Sequence, residues 1–344
     1  MKLLTIVIPT YNTEKYIRRC LDSIIVPEAL DDIEVLIIND GSKDNSVAIS
    51  KEYSDKYPES VKIIDKENGG HGSTINKGLE IANGKYFRVL DSDDWFDTNA
   101  FLKFLKKLKN CTEDVVVTPY YQEYVYNGTQ IPFEYPGYEY DKTYTFEEID
   151  ITKMNDLYFT MASSTYLTEV LRKSNLKLFE KTFYVDMQFN VIPILEVKTV
   201  RFLNMYIYRY FIGRPNQSMS IESLIRNMPQ HEKVLKFLVE FYLENKDKLI
   251  DSKDKYIRRI IALMSNSQIH ITSNLWKNRN EAYRLTKSYV TYLKEKDINL
   301  YNDVMCFPYI RYGAKVGFLN VLLCNKFYTR FIEFAIKIKR KLSR

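Results

Sequence analysis

The chain has 344 residues, of which 45% are hydrophobic and 27% charged. This length predicts two or three structural units, and this composition is typical of a globular protein; both exclude a disordered chain and a small disulfide-stapled one. The four cysteines and three histidines lie too far apart along the chain for a readable disulfide framework or structural zinc site. A reducing, cytoplasmic compartment is therefore expected.

The net charge of +6 is distributed unevenly. Residues 309–344 carry nine Lys or Arg and one Glu, a local charge of +8, which leaves −2 for everything before them. No apolar window reaches the ~18 residues of a membrane span, and Pro9 interrupts the apolar start that a secretion signal requires. The sequence therefore predicts neither a membrane span nor a cleaved signal.

The first half of the chain alternates between short apolar runs and helical spacing. The predicted elements are a strand at 5–8, a helix at 14–25, a strand at 33–38, a helix at 44–57, a strand at 61–64, a helix at 73–82 and a strand at 86–90. This order predicts an α/β fold with a mostly parallel sheet covered on both faces. The Tyr-, Pro- and Gly-rich stretch 120–140 predicts strands and loops that reach over the sheet edge.

Beyond residue 221 the spacing of apolar residues becomes helical, with predicted helices at 222–248, 254–276 and 281–294. The change of pattern divides the chain into a first domain, residues 1–215, and a helical C-terminal region, residues 216–344. His231 and His270 fall in these helices and are interpreted as structural.

Ligands of a parallel sheet bind at the carboxyl ends of its strands. The segments that follow the four predicted strands are PTYN, NDGSKDNS, ENGGHG and DSDDW. DSDDW places Asp91, Asp93 and Asp94 directly after a strand, where carboxylates are able to share a ribose hydroxyl and a hard divalent cation. An acidic turn that caps the following helix is the alternative for this segment alone.

The other three segments also offer groups that suit a nucleotide. Tyr11 presents a flat face on which a base is able to stack, and Asp40 is placed to accept the N–H of a nucleobase. The glycines of GGHGSTINKG precede a helix N-terminus, a geometry that suits phosphate or sugar oxygens. No G-K-[ST] follows, so this is not a P-loop. Turns, caps and a partly buried tyrosine explain each segment equally well when it is taken alone.

Taken together and in this order, TIVIPTYN, LIINDGSKDNS, ENGGHGSTINKGLEIANGKY and FRVLDSDDW resemble the successive N-terminal signatures of the family 2 glycosyltransferases, of bacterial type. The resemblance covers about the first hundred residues. It implies a Rossmann-like GT-A domain that binds a nucleotide sugar, with Tyr11 and Asp40 at the uracil, Asp91 at the ribose, and Asp93 on the Mg²⁺ or Mn²⁺ that bridges the donor diphosphate. Asp94 is interpreted as structural.

The same family carries a catalytic carboxylate about a hundred residues further on, in a Y-E-D-x-x-F pattern. TFYVDMQF resembles it and gives Asp186 as the base, with Val185 where the family has Glu. Asp141, Asp150 and Asp156 are rival carboxylates, but none has flanking aromatics like Tyr184 and Phe189. YRYFIGRPNQSMS resembles a later family stretch, which implies that Arg214 and Ser218 reach the diphosphate or the acceptor; a surface turn explains Arg214 equally well.

The resemblance thus predicts a metal-dependent, inverting hexosyltransferase that moves a sugar from a UDP-sugar to a glycan or lipid-linked glycan, as in the synthesis of cell-surface polysaccharides. His71 lies in the glycine loop and is included among the donor contacts, although the sequence gives it no partner. The predicted donor-binding residues are Pro9, Tyr11, Asp40, Gly70, His71, Asn76, Asp91, Arg214 and Ser218.

Two other functions compete with this one. A nucleotidyltransferase of related fold would also bind a nucleotide and a metal, but PTYNTEKY lacks the Gly-rich, basic loop of that class. A nucleic-acid-binding protein would use the basic tail, which leaves the ordered carboxylates unexplained; no nucleic-acid partner is therefore predicted.

The tail has its own interpretation. Between 326 and 344 the aromatic and aliphatic residues fall on one arc of a helical wheel and most basic residues on another. This pattern is typical of a helix that lies on an anionic membrane surface, here the inner face of the plasma membrane. A helix docked on its own domain and a homodimer contact are the alternatives.

Overall fold

The computed structural model describes residues 2–124, 126–154, 158–213, 221–273, 278–307 and 310–311. The chain forms two compact units, the first made of residues 1–217 with 247–256 and the second of residues 218–246 with 257–344. The residues of the predicted membrane-binding tail, 326–344, lie outside the described ones, as do Arg214, Ser218 and Asp156.

Strands and helices alternate through the first part of the first unit, as predicted. The strands of the described residues are β1 (Leu4–Thr10), β2 (Ile33–Asn39), β3 (Val61–Asp65), β4 (Tyr86–Val89), β5 (Trp95–Phe96), β6 (Val115–Val117), β7 (Tyr120–Tyr124), β8 (Thr129–Phe133), β9 (Thr143–Thr145), β10 (Ser164–Leu167), β11 (Thr199–Phe202) and β12 (Tyr208–Ile212). The helices of this unit that position the site are α1 (Ile17–Ile24), α2 (Ser46–Lys56), α3 (His71–Ile81), α4 (Thr98–Leu108), α5 (Thr168–Lys173) and α6 (Asp186–Val191).

The larger sheet has the strand order β3-β2-β1-β4-β10-β6-β11-β9. β1 pairs in parallel with both β2 and β4, and β2 pairs in parallel with β3. β10 then enters antiparallel to β4 and to β6. The predicted α/β class, with a largely parallel central sheet, is confirmed, and the antiparallel strand β10 divides the sheet into two parts that the sequence did not separate.

The core lies between this sheet and helices α1 and α4. β1 and β2 are buried along their whole length because helices cover both faces of the sheet. α1 buries Ile17, Leu21 and Ile24, which are spaced by three and four residues. Each such side chain contributes roughly 1.5–3 kcal/mol when it leaves water. The predicted helix at 14–25 begins three residues later than the pattern indicated. Its apolar spacing correctly predicted which face of the helix is buried.

A second sheet has the order β5-β12-β7-β8. β12 runs antiparallel to β5 and parallel to β7, so that Tyr208 lies opposite Phe96 on one side and Tyr120 on the other. The predicted strands of the Tyr-rich stretch are β7 and β8. They join a sheet that also contains the strand directly after the DSDD segment, and this arrangement brings β12 to that segment.

The second unit is helical in its described residues. Its helices are α7 (Ile221–Arg226), α8 (Met228–Asn245), α9 (Asp251–Ser273), which begins in the first unit, α10 (Arg279–Lys296) and α11 (Ile298–Met305). The structural interpretation of His231 agrees with the model, where Nδ1 of the buried ring is 2.6 Å from Oε1 of Gln268. Among the helices of the described part of the chain, none is both long and apolar enough to cross a bilayer.

Candidate functional site

The carboxyl ends of the parallel strands bring the four predicted segments to one edge of the sheet, which we call the carboxyl edge. Thr10 at the end of β1 pairs with Asn39 at the end of β2, and Asn39 pairs with Asp65 at the end of β3. β4 ends beside Val7 of β1. Pro9 lies within β1 and is buried, whereas Tyr11, two residues further on, is 50% exposed at this edge.

The loops after β1 and β2 are fastened to each other. Asn12, whose φ of 52° lies in the left-handed region that asparagine tolerates, donates its backbone N–H to Oγ of Ser42 at 3.1 Å. Its side-chain oxygen accepts the N–H of Lys43 at 2.8 Å. The backbone on either side of Tyr11 is therefore fixed while its ring stays accessible.

Asp40 anchors the glycine loop. Its carboxylate, with 4% of the side chain exposed, accepts the backbone N–H groups of Gly69 and Gly70 at 2.8 Å each. The Nζ of Lys66 lies 2.8 Å from the same group. Gly70 has a φ of 82°, and a Cβ there would lie 3.1 Å from the backbone N of Lys181. Glycine is therefore required at this position both by its φ and by the close approach of residue 181.

His71, the first residue of α3, contacts the strand-end carboxylate. Its Nε2 lies 2.7 Å from Oδ1 of Asp91, and the two side chains are 37% and 33% exposed. Burial disfavours the charged ring, but the carboxylates of Asp91 and Asp186 more than offset this effect, so the pKa of His71 lies above its usual value. The sequence did not give His71 a partner; the fold supplies one from the end of β4.

Asp186 is the first residue of α6 and belongs to the same electrostatic cluster. Burial raises the pKa of Asp186, and the nearby His71 partly opposes that rise. Tyr184, two residues earlier, has a φ of 66°, a conformation that bulky residues adopt only when the surrounding structure holds them there. A half-buried carboxylate with an elevated pKa, held on a constrained turn, has the properties of a general base.

The chain segment before α6 is fastened to α3. The side-chain amide of Asn76 donates to the carbonyl oxygen of Leu178 at 2.9 Å and accepts the N–H of Leu178 at 2.8 Å. The N–H of Lys181 donates to the carbonyl oxygen of Gly69 at 2.5 Å. A Cβ on Gly72 would lie 2.2 Å from the carbonyl oxygen of Phe179, so this contact also requires glycine. These contacts place the segment that leads to Asp186 against the glycine loop.

The turn Asp91–Asp94, which we call the carboxylate turn, is held by β12. Asp94 is 1% exposed and accepts the hydroxyl of Tyr208 at 2.5 Å and the N–H of Phe211 at 2.8 Å. Burial, together with the carboxylates of Asp93 and Asp91, raises the pKa of Asp94 well above its usual value. The structural interpretation of Asp94 therefore has a physical basis, and Asp91 and Asp93 are the carboxylates of this turn nearer the surface.

The two rival carboxylates among the described residues, Asp141 and Asp150, lie outside this cluster. Asp141 is exposed and pairs with Nζ of Lys107 at 2.5 Å. Asp150 is exposed and accepts the N–H and hydroxyl of Thr152. The sequence analysis missed Tyr208, although the YRYF segment containing it was recognised, because nothing in a local pattern says which strand will pair beside the carboxylate turn.

The chemistry of the carboxyl edge suits a cation. The carboxylate turn brings three aspartates together in four positions, and carboxylate oxygens are the ligands that Mg²⁺ and Mn²⁺ prefer. Within the described residues, no three His, Cys, Asp or Glu side chains come together as a preformed metal cage. Mg²⁺ is commonly held by one or two carboxylates, with substrate phosphates and water as the remaining ligands.

Comparison with known proteins identifies the family of this chain and agrees with its fold. Residues 5–174 match the model of glycosyl transferase family 2. The chain is 31% identical over 222 residues to the uncharacterized glycosyltransferase MG025 homolog of Mycoplasma pneumoniae, covering 64% of this chain and 71% of that protein. It is 30% identical to the uncharacterized glycosyltransferase EpsJ of Bacillus subtilis, covering 60% of this chain and 61% of EpsJ. The match to glycosyltransferase GlyA of Streptococcus pneumoniae, 29% identical, covers 62% of this chain and 31% of GlyA.

Among solved structures, residues 1–349 of S. aureus TarS superpose with a TM-score of 0.66 at 20% identity, covering 95% of this chain and 91% of that one. The same fragment in complex with UDP-GlcNAc superposes with a TM-score of 0.61 at 18% identity, covering 92% of each chain. These likenesses show a common fold. The chain spans less than two thirds of EpsJ and GlyA.

The strand order of the larger sheet and the superposition on TarS show a fold of GT-A type. The chain belongs to glycosyl transferase family 2.

Proposed function

We propose that this enzyme transfers a sugar, with inversion, from a UDP-sugar to a hydroxyl of a glycan or lipid-linked glycan. The observation that carries the proposal is the cluster of His71, Asp91 and Asp186 at the carboxyl edge, where the 2.7 Å contact and the shifted pKa values of His71 and Asp186 coincide. The complexes of TarS with UDP-GlcNAc and with UDP support a uridine nucleotide as the donor.

On the donor side, the exposed ring of Tyr11 stacks on the uracil, an interaction worth about 1–3 kcal/mol. The resemblance places Asp40 at the same base, but its buried carboxylate binds Gly69 and Gly70, so the task that its contacts support is to shape the glycine loop. Asp91 binds the ribose while His71 orients its carboxylate. Pro9 and Gly70 let the backbone approach the donor. The donor contacts that the resemblance implies for Arg214 and Ser218 fall on residues outside the described ones.

Asp93 holds the divalent metal, Mg²⁺ or Mn²⁺, in this proposal. Asp93 is a half-buried carboxylate of the carboxylate turn, at the carboxyl edge, and carboxylate oxygens are the ligands that a hard divalent cation prefers. The metal supplies neutralisation of the charge that develops on the leaving diphosphate.

The reaction proceeds by direct displacement. Asp186 accepts the proton of the acceptor hydroxyl as the acceptor oxygen forms a bond to the anomeric carbon. The bond between that carbon and the diphosphate oxygen breaks on the opposite face, and UDP leaves with the electron pair. Burial raises the pKa of Asp186, and a carboxylate with a raised pKa is a stronger base.

The test is a panel of nucleotides and nucleotide sugars, each measured by thermal shift and by product analysis with and without Mn²⁺. We expect UDP and at least one UDP-sugar to raise the Tm in the presence of Mn²⁺, since a ligand at 100 times its Kd adds about 2.7 kcal/mol to the free energy of unfolding. UDP should be the released nucleotide. Release of pyrophosphate would instead indicate a nucleotidyltransferase, and stronger stabilisation by GDP-sugars would contradict a UDP donor.

A second prediction concerns Asn76, which the sequence analysis placed among the donor contacts. Both polar groups of its side chain bind Leu178, so we expect Asn76→Ala to loosen the segment that carries Asp186. The catalytic rate should fall while UDP affinity stays within about twofold. The lost contact holds the segment that leads to Asp186, and it does not belong to the site that binds the nucleotide in the ground state. Titration calorimetry with UDP and a donor-turnover assay separate these two quantities.

Asn83→Ala is the matched control for Asn76→Ala. Asn83 also uses its side-chain amide in two hydrogen bonds, to Glu34 and to the carbonyl of Ile81, but it has none to the segment before α6. We expect a comparable loss of stability without loss of turnover in the folded protein. Weakened UDP binding by the Asn76 variant alone would restore the original donor-contact interpretation.

A further inference from the structure

Arg19, on α1, contacts two aromatic rings that the proposed mechanism does not use. The carbon of its guanidinium lies 3.7 Å from the ring centroid of Trp95 and 4.5 Å from that of Phe211. The two rings belong to neighbouring strands, β5 and β12, and their centroids are 5.8 Å apart. We call these three side chains the ring clamp.

The ring clamp is connected to the carboxylate turn by hydrogen bonds. Nη2 of Arg19 donates to the carbonyl oxygen of Asp93 at 2.9 Å. Phe211, whose ring contacts Arg19, donates its backbone N–H to Asp94 at 2.8 Å. The same strand residue therefore holds the turn directly through Asp94 and indirectly through Arg19.

Burying the charged guanidinium of Arg19 costs desolvation free energy, which its contacts must offset. Burial lowers the pKa of Arg19, although the nearby carboxylate of Asp94 acts in the opposite direction. Arg19 Nε is buried without a hydrogen-bond partner among the described residues. The cation–π contacts with the two rings oppose this cost. An aliphatic side chain would pack against the same rings with less desolvation, so what the guanidinium adds is the charged hydrogen-bond donor to Asp93.

We propose that Arg19 is a positioning residue, which fixes the backbone of Asp93 so that its carboxylate meets the divalent metal and the donor diphosphate. This inference rests on the proposed function, in which Asp93 is the metal ligand. Substitution of a residue that hydrogen-bonds to a metal ligand, without touching the metal, typically lowers metal affinity by about 10–100-fold. A planar guanidinium satisfies the stacking and the hydrogen bond at once, whereas the ammonium of a lysine does not.

The test compares Arg19→Met with Arg18→Met, each in a Trp276→Phe background, in which Trp95 is the remaining tryptophan. Arg18 is the neighbouring residue of α1, and its guanidinium forms an exposed ion pair with Glu52 of α2. The measured quantity is the Mn²⁺ concentration that half-saturates UDP binding, obtained by calorimetry and by Trp95 fluorescence without any turnover. Thermal unfolding of each variant accompanies it.

We expect Arg19→Met to raise the half-saturating Mn²⁺ concentration by about tenfold or more and to change the emission of Trp95 in the free protein. Arg18→Met should leave both unchanged. Arg19→Lys, which keeps the charge, should fall between Arg19→Met and the parent. A folded Arg19→Met protein with the Mn²⁺ dependence of the parent would overturn the inference and leave the proposed function intact.

Phe211→Leu keeps Arg19 and removes one ring of the clamp, so it tests the inference independently if Arg19→Met does not fold. Its half-saturating Mn²⁺ concentration should rise several-fold, and an unchanged value would overturn the inference. Failure of the parent itself to bind UDP in a metal-dependent way would overturn the proposed function, and the assignment of Arg19 with it.

Discussion

Asp186→Asn is expected to lower sugar transfer by roughly 10²–10⁴-fold while UDP affinity stays nearly unchanged. General-base catalysis acts on the transition state, so its removal affects the rate and not the binding of the nucleotide. The substitution preserves the size of a half-buried side chain and removes a desolvated carboxylate, so the fold should be kept. Steady-state kinetics with a UDP-sugar and calorimetry with UDP are the two measurements.

Asp141→Asn provides the control for Asp186→Asn. Asp141 is exposed and has a φ of 61°, a left-handed conformation that asparagine adopts readily. Transfer by this variant should equal that of the parent. Normal transfer by Asp186→Asn would move the role of base to another carboxylate, and a loss of UDP affinity would place Asp186 in the donor site instead.

The pH dependence of transfer gives a further check on the same residue. The base must be ionised, so the rate falls as pH decreases through the pKa of Asp186. Because burial raises that pKa, we expect the acidic limb of the kcat profile to lie at a higher pH than the value near 4 of an unperturbed aspartate. An acidic limb at or below pH 4 would contradict the assignment.

Asp93→Asn is expected to abolish metal-dependent UDP binding and transfer without unfolding the protein. The change removes the negative charge that a hard divalent cation requires, and the half-buried Asp93 side chain belongs to a turn that is fixed mainly through Asp94 and the backbone. The measurement is UDP affinity with and without Mn²⁺. Metal-independent binding of UDP should remain at the level that the parent shows without metal.

An exposed aspartate far from the carboxyl edge serves as control for Asp93→Asn. Asp31 lies at the opposite end of the sheet, before the start of β2, and Asp31→Asn should leave the Mn²⁺ dependence as it is in the parent. Full activity of Asp93→Asn at saturating donor would remove Asp93 from the metal site.

The local sequence pattern predicted which segments meet at the carboxyl edge better than it predicted which side chains contact each other there. The four segments at the carboxyl edge follow apolar runs of the first half of the chain, and the parallel pairing of β1 with β2 and β4 brings them together as expected. Asp186 was distinguished from Asp141 and Asp150 by its flanking aromatics, and the fold places it alone of these three beside His71 and Asp91.

Contacts that join distant parts of the chain were not readable from such patterns. Asn76 was grouped with the donor residues because it follows the glycine loop, yet its amide binds Leu178, 102 positions later. Asp94 and Tyr208 are 114 positions apart, and Arg19 and Asp93 are 74 apart. The periodicity of apolar residues does not predict which residues of a later strand will lie beside an earlier turn.

The sequence by itself determined the α/β class, the alternation of strands and helices in the first half of the chain and the identity of the polar segments at the strand ends. Apolar periodicity and turn residues are local properties, and parallel strands necessarily place their carboxyl ends together. The tertiary structure alone decided that Asp40 is bound to the glycine loop, that Asp94 is held by β12, and that His71 faces Asp91. The physical reason is that hydrogen-bond partners and burial, which set these roles and the pKa values, arise only when distant segments pack.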